Sequence, residues 1–83
     1  MNEAQLIESL KEIIKPYVQD EEAFAQLSPE SNFIKDLKIN SANLVDIVLD
    51  VEEVYQIEID NESMERMQTV GAAMDIIREK VSD

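Results

Sequence analysis

Apolar residues return at helical intervals along three stretches of this chain. In the first, Leu6, Leu10, Ile13 and Tyr17 recur with Ile7 and Ile14 beside them, while Glu8, Lys11, Glu12 and Lys15 take the other side. This predicts a first helix with Asn2 as its N-cap and Glu3 behind it. Pro16 is expected to end it, because the proline ring clashes with the carbonyl four residues back. The second periodic stretch runs from Ser41 to Gln56. The third begins near Thr69, a capping residue, and sets Val70, Ala73, Met74, Ile77 and Val81 in a buried stripe with Ala72 and Ile76 alongside.

Between the first two stretches, residues 19–40 show no sustained period and read as a long loop with room for a short helical turn. Loops of that length are uncommon in compact domains and are often functional. Phe24, Leu27, Phe33, Ile34 and Leu37 are expected to pin this loop to the core. After the second helix come an extended piece, IEID, and a short helix, NESMERMQ. The fold class that follows is all-α: a small four-helix bundle, with three longer helices, one short one and a long loop between the first and second. One domain is expected to occupy residues 1–83.

Composition narrows this further. With 45% apolar residues the chain is rich enough to fold, but without Trp and with 5% aromatics the core has to be largely aliphatic. One Gly and two Pro are too few for the turns of a many-stranded sheet. Zero Cys excludes a disulfide framework and any intrinsic thiol chemistry, and it is compatible with a reducing, cytoplasmic setting. The amphipathic, acidic N-terminus does not look like a targeting segment, and no run of 18 apolar residues suggests membrane insertion. Nineteen acids against seven bases, a net charge of −12, oppose nucleic-acid phosphates and anionic lipid and favour basic protein surfaces. So much negative charge also argues for a monomer.

The second helix carries more apolar residues than one buried face needs. At about 100° per residue, Leu44, Ile47, Val48, Val51, Val54 and Tyr55 fall within about 120°, the width of a core-facing stripe. Ala42, Val45 and Leu49 lie outside it, on a side shared with Asp46 and Glu53 and bordered by Asp50 and Glu52. From Ile39 through Glu65 there are eight acids and no Lys or Arg. Such a helix forgoes i,i+4 ion pairs and suits docking, with acids steering a basic partner onto a small apolar centre. Singly exposed hydrophobes on a solvated acidic face are the plainer alternative.

Ser41 opens this helix. A catalytic serine needs a general base, and with no His in the chain and no Lys from position 39 to 79 no triad can be assembled. Two roles remain open. Either Asn40 or Ser41 could serve as the N-cap, or another enzyme could modify the Ser41 hydroxyl, placing an anion where free N–H groups and the helix dipole favour one. A calcium loop starting at Asp60 fails, since Met64 and Gly71 fall where oxygen ligands are required, and no metal site is expected.

The run Asp36-Leu37-Lys38-Ile39-Asn40-Ser41-Ala42 followed by Leu44-Val45-Asp46-Ile47-Val48-Leu49 resembles the signature D-L-x-x-D-S-L of the acyl carrier proteins. The segments EEVYQIEID and TVGAAMDII resemble the same family's second-helix exit and last-helix start, so the likeness runs from Leu6 to Ile77. It implies a four-helix bundle that is a carrier rather than an enzyme. Ser41 would receive 4′-phosphopantetheine from coenzyme A through a phosphopantetheinyl transferase, and acyl groups would then ride as thioesters to acyl ligases or transferases, ketosynthases and related pathway enzymes.

Carried over by position, Asn40, Ala42, Val45, Asp46, Leu49, Glu52 and Glu53 would meet partners. Leu44, Val48, Val51, Tyr55, Met67 and Ile77 would line the cavity that shelters an acyl chain. The family's D-S-L is N-S-A here, which removes a charged and a hydrophobic handle for a general transferase. It points to a specialised fatty-acid, polyketide-like or aryl-polyene pathway. The alternatives are a housekeeping fatty-acid or aminoacyl carrier, and an unmodified acidic protein-binding module in which Ser41 is only a cap.

Overall fold

The computed structural model describes residues 2–81, and among them the regular structure is entirely helical apart from one isolated bridge. Three longer helices form the body: α1 (Glu3–Ile14), α3 (Ser41–Tyr55) and α5 (Val70–Val81). Two short ones, α2 (Glu21–Ala25) and α4 (Asn61–Arg66), lie in the connections. The expected bundle of three longer helices and one short one is therefore present with α2 added. Five residues are too few to show a period; Asp20 caps this helix, accepting a hydrogen bond from the Ala23 N–H at 3.0 Å.

Local chemistry sets the ends of α1. Asn2 accepts from the Gln5 N–H while the Gln5 side chain accepts from the Asn2 N–H, so two N-terminal donors are satisfied reciprocally. The α-helix stops at Ile14, and Lys15–Tyr17 continue as a 3₁₀ turn around Pro16. Two phenols then tie α1 and the turn after it to α3. Tyr55 donates to Ser9 Oγ, and Tyr17 donates to an Asp50 carboxylate oxygen at 3.1 Å. Because the later tie on one segment meets the earlier position on the other, α1 and α3 run antiparallel. The bond to Asp50, then partial burial, then the charges of Asp50 and Asp46 push the Tyr17 phenol above its ordinary pKa.

The core is aliphatic with one large aromatic, Phe33. Leu6, Leu10 and Ile14 from α1 meet Ile47 and Val51 from α3 and Val70, Ala73, Met74 and Ile77 from α5, all essentially without solvent contact. The segment before α3 contributes Phe33, Leu37 and Ile39 to this core and is strapped to the start of α5. Phe33 N–H donates to Gln68 O, Val70 N–H to Ser31 O and Gly71 N–H to Pro29 O, at 3.0, 3.0 and 2.7 Å, beside an antiparallel bridge between Asn32 and Thr69. The long connection is thereby fixed in place without a strand of its own.

Three apolar positions differ from expectation. Val54, assigned to the buried stripe of α3, is 55% exposed because it stands at the edge of the arc, next to Asp50. Val81 is likewise exposed, at the last residue of α5. Ile34 is exposed rather than buried, since its neighbours Phe33 and Leu37 take the core positions and leave it on a surface cavity.

Candidate functional site at the start of α3

The approach to α3 is a tightly bonded turn. Asn32 Oδ1 accepts from the N–H groups of Ile34 and Lys35 at 2.9 Å each. The Asn32 N–H donates to the Asp36 carboxylate at 2.7 Å, and Ile39 N–H reaches back to Phe33 O at 3.0 Å. Leu37 and Ile39 are both buried, and Lys38 between them takes a left-handed conformation with φ 58°, so its side chain stays outside while both neighbours reach the core. Asn40 is then the N-cap of α3: its Oδ1 accepts from the Ala42 N–H at 2.9 Å. The capping role that Asn40 or Ser41 could have taken belongs to Asn40.

Ser41 is the first residue of α3 and is exposed. Its hydroxyl takes part in none of the hydrogen bonds among the described residues, and no acid lies in the first turn. An anion joined to this oxygen would meet the positive end of a 15-residue helix with no carboxylate in that turn to oppose it.

Beside Ser41 opens a cavity of about 380 Å³. Phe33, Ile34, Leu44, Val45, Met64 and Met67 make its apolar walls, and Asn32, Lys35, Glu65 and Gln68 its polar border. That volume lies within the range of small-molecule pockets, which are mostly apolar with a few polar groups. Of the residues expected to line an acyl cavity, the structure brings Leu44 and Met67 to this one. Val48, Val51 and Ile77 are in the close-packed core, and Tyr55 is half-buried near the other end of α3, bonded to Ser9. Phe33, Ile34, Val45 and Met64 were missed as lining. For Met64 its i,i+3 spacing from Met67 could have served as the signal, since methionine side chains repack readily around a guest.

The residues expected to meet partners fall into two groups. Ala42, Val45, Asp46, Leu49 and Glu53 are exposed, with Val45 and Leu49 at 48% and 56%. Neither Asp46 nor Glu53 has an ion-pair partner among the described residues. Asn40 and Glu52 are already engaged. Asn40 caps the helix, and half-buried Glu52 accepts from the Ile59 N–H at 2.7 Å, which holds the chain after α3. Asp60 caps α4, and hydrogen bonds from the Ser63 N–H and hydroxyl, aided by Lys80 and Arg66, hold its carboxyl below the ordinary carboxylate range. Among the described residues no acid cluster has the geometry of a metal site, and no helix is long and apolar enough to cross a membrane.

Known proteins share this arrangement of sequence. A family model described as the phosphopantetheine attachment site matches residues 5–77. The chain is 35% identical over 77 residues to an acyl carrier protein of Coprothermobacter proteolyticus, covering 93% of this chain and 92% of that one. It is 46% identical over 54 residues to an acyl carrier protein of a Picosynechococcus species, covering 65% and 67% of the two chains. It is 29% identical over 82 residues to one from Thermosynechococcus vestitus, 99% of each. With the family model spanning residues from α1 to α5 and relatives aligned over nearly their full length, the chain belongs to the acyl carrier proteins, carriers whose shared domain is the attachment site of phosphopantetheine.

Proposed function

We propose that Ser41 is the attachment residue and that the protein carries acyl groups, as a cosubstrate of its partner enzymes, in a specialised fatty-acid, polyketide-like or aryl-polyene pathway. The observation that carries this reading is the unbonded, exposed Ser41 hydroxyl at the edge of an apolar cavity. The residues present fit the group: the start of α3 accepts a phosphodiester, and the cavity accepts a hydrocarbon chain. When bound, the arm supplies the thiol that the chain lacks, to which acyl groups attach as thioesters.

The remaining chemistry belongs to the chain's own residues and to its transferase. Loading forms a bond from Ser41 Oγ to a coenzyme A phosphorus and breaks the bond from that phosphorus to the departing adenosine bisphosphate. No side chain of this chain is hydrogen-bonded to the Ser41 hydroxyl, so the transferase supplies the base that takes the serine proton. Asp46 and Glu53 steer basic partner surfaces, with Val45 and Leu49 as the apolar contact. Asn40 supports a dedicated transferase: it caps α3 as an aspartate would, but offers no charge to an enzyme that seeks one. Ala42 offers little apolar area beside it. The reading that Ser41 only caps the helix has less to rest on, since Asn40 does that work.

Intact mass after incubation with coenzyme A and a panel of transferases tests the proposal. One added phosphopantetheine, abolished by Ser41→Ala, is expected. No gain with any competent transferase, including that of the source organism, removes the reading. A broad-specificity enzyme of general fatty-acid synthesis loading the chain as fast as its own carrier would remove the specialised pathway from it.

A further inference from the structure

Among the residues lining the cavity beside Ser41, one is cationic, Lys35, and one anionic, Glu65. No other Lys or Arg follows Lys38 until Arg66, so Lys35 and Lys38 are the basic residues nearest Ser41 in the chain. In a protein with 19 acids, neither forms an ion pair among the described residues. The carboxylate next to Lys35 in sequence, Asp36, is engaged with the Asn32 N–H, and the Lys35 backbone is itself held by Asn32 Oδ1. Lys35 is thus fixed at its root, with its ammonium free.

We propose that Lys35 is a positioning residue for the arm, its ammonium pairing with the phosphodiester on Ser41 so that the first bonds of the arm leave across the cavity. This rests on Ser41 being the attachment residue. Lys35 and Ser41 line the same cavity of about 380 Å³, so a flexible lysine and a phosphate on Ser41 border one shared space. Glu65 on the same cavity repels the phosphate, and the two charges together bias the arm to the Lys35 side. Lys38 is exposed but does not line the cavity, so it adds to the local potential without setting a direction.

Phosphorus NMR of the loaded protein tests this, with intact mass confirming one arm per chain. Lys35→Gln should move the phosphodiester resonance and narrow it as the arm loosens. Salt raised well above the ~0.1 M at which the Debye length is ~10 Å should move the wild-type resonance toward the variant's. Lys38→Gln should give a smaller change, and Lys11→Gln, on α1 and paired with Glu8, none. Circular dichroism should show all variants folded, since Lys35 and Lys38 are exposed and Lys11 is only partly covered. An unmoved resonance in Lys35→Gln, or an equal shift in Lys38→Gln, overturns the inference while leaving Ser41 loaded. Absence of the mass gain overturns the attachment reading as well.

Discussion

Adjacent substitutions at the start of α3 separate what holds this helix from what is carried on it. Asn40→Ala removes the oxygen that accepts the Ala42 N–H at 2.9 Å. Loss of such a cap costs about 0.5–2 kcal/mol. Ala42 is exposed, so water can satisfy the freed N–H, and a loss of about 1 kcal/mol is expected. For an 83-residue chain, total stability is on the order of 4–12 kcal/mol, so the loss is a sizeable fraction and should lower Tm by about 4–8 °C. Ser41→Ala should behave differently. Its hydroxyl has no hydrogen-bond partner to lose and alanine is the better helix former, so stability should stay within about 0.5 kcal/mol of wild type.

The assay is urea unfolding of the unloaded protein followed by far-ultraviolet circular dichroism, with intact mass after transferase treatment on the same samples. Asn40→Ala should be destabilised yet still accept the arm when folded, and Ser41→Ala should be stable yet accept none. The reasoning is refuted if Ser41→Ala loses as much stability as Asn40→Ala. The hydroxyl would then be the cap in place of Asn40.

Gly71→Ala should destabilise. A Cβ there would lie 2.9 Å from the Pro29 carbonyl oxygen, a backbone atom that the Gly71 N–H already holds at 2.7 Å. Overpacking of about 1–3 kcal/mol, set against about 1 kcal/mol of helix propensity gained, leaves a net loss near 1 kcal/mol, and a thermal melt with an unchanged or raised midpoint would contradict the close approach. Because the Asp60 carboxyl is held below its ordinary pKa, its stabilisation is complete at neutral pH and is lost as pH falls from about 4 through the lower folded value. Asp60→Asn retains a cap but should flatten that part of the acid limb in urea midpoints measured across pH; an unaltered limb would mean the carboxyl is not held. Asp46→Lys and Glu53→Lys should each weaken binding to a basic partner enzyme several-fold at low salt, with the difference shrinking as salt rises and stability changing by no more than about 0.5 kcal/mol. Calorimetric titration showing equal affinities would remove this face from the docking surface.

Much of this was legible in the order of residues because helices are local. The spacing of Leu6, Leu10 and Ile14, the proline at 16 and the caps at Asn2 and Thr69 act within a few positions of themselves, and the structure places a helix boundary at or next to each. The unpaired acidic face of α3 and the resemblance around Ser41 were also open to reading, since charge runs and short motifs are properties of the string.

What the chain does across distance needed the folded molecule. Whether Val54 or Val48 is covered depends on where α1 and α5 lie, not on the stripe both belong to. The cavity draws Phe33 and Ile34 from the long connection, Leu44 and Val45 from α3, and Met64 and Met67 from around α4, three segments whose meeting no local period encodes. Glu52 reads as one more docking acid until the fold turns it toward the Ile59 N–H. Periodicity assigns a face to each residue, but only the packing of one face on another decides which side chains are enclosed, which are bonded, and which are left free for a partner.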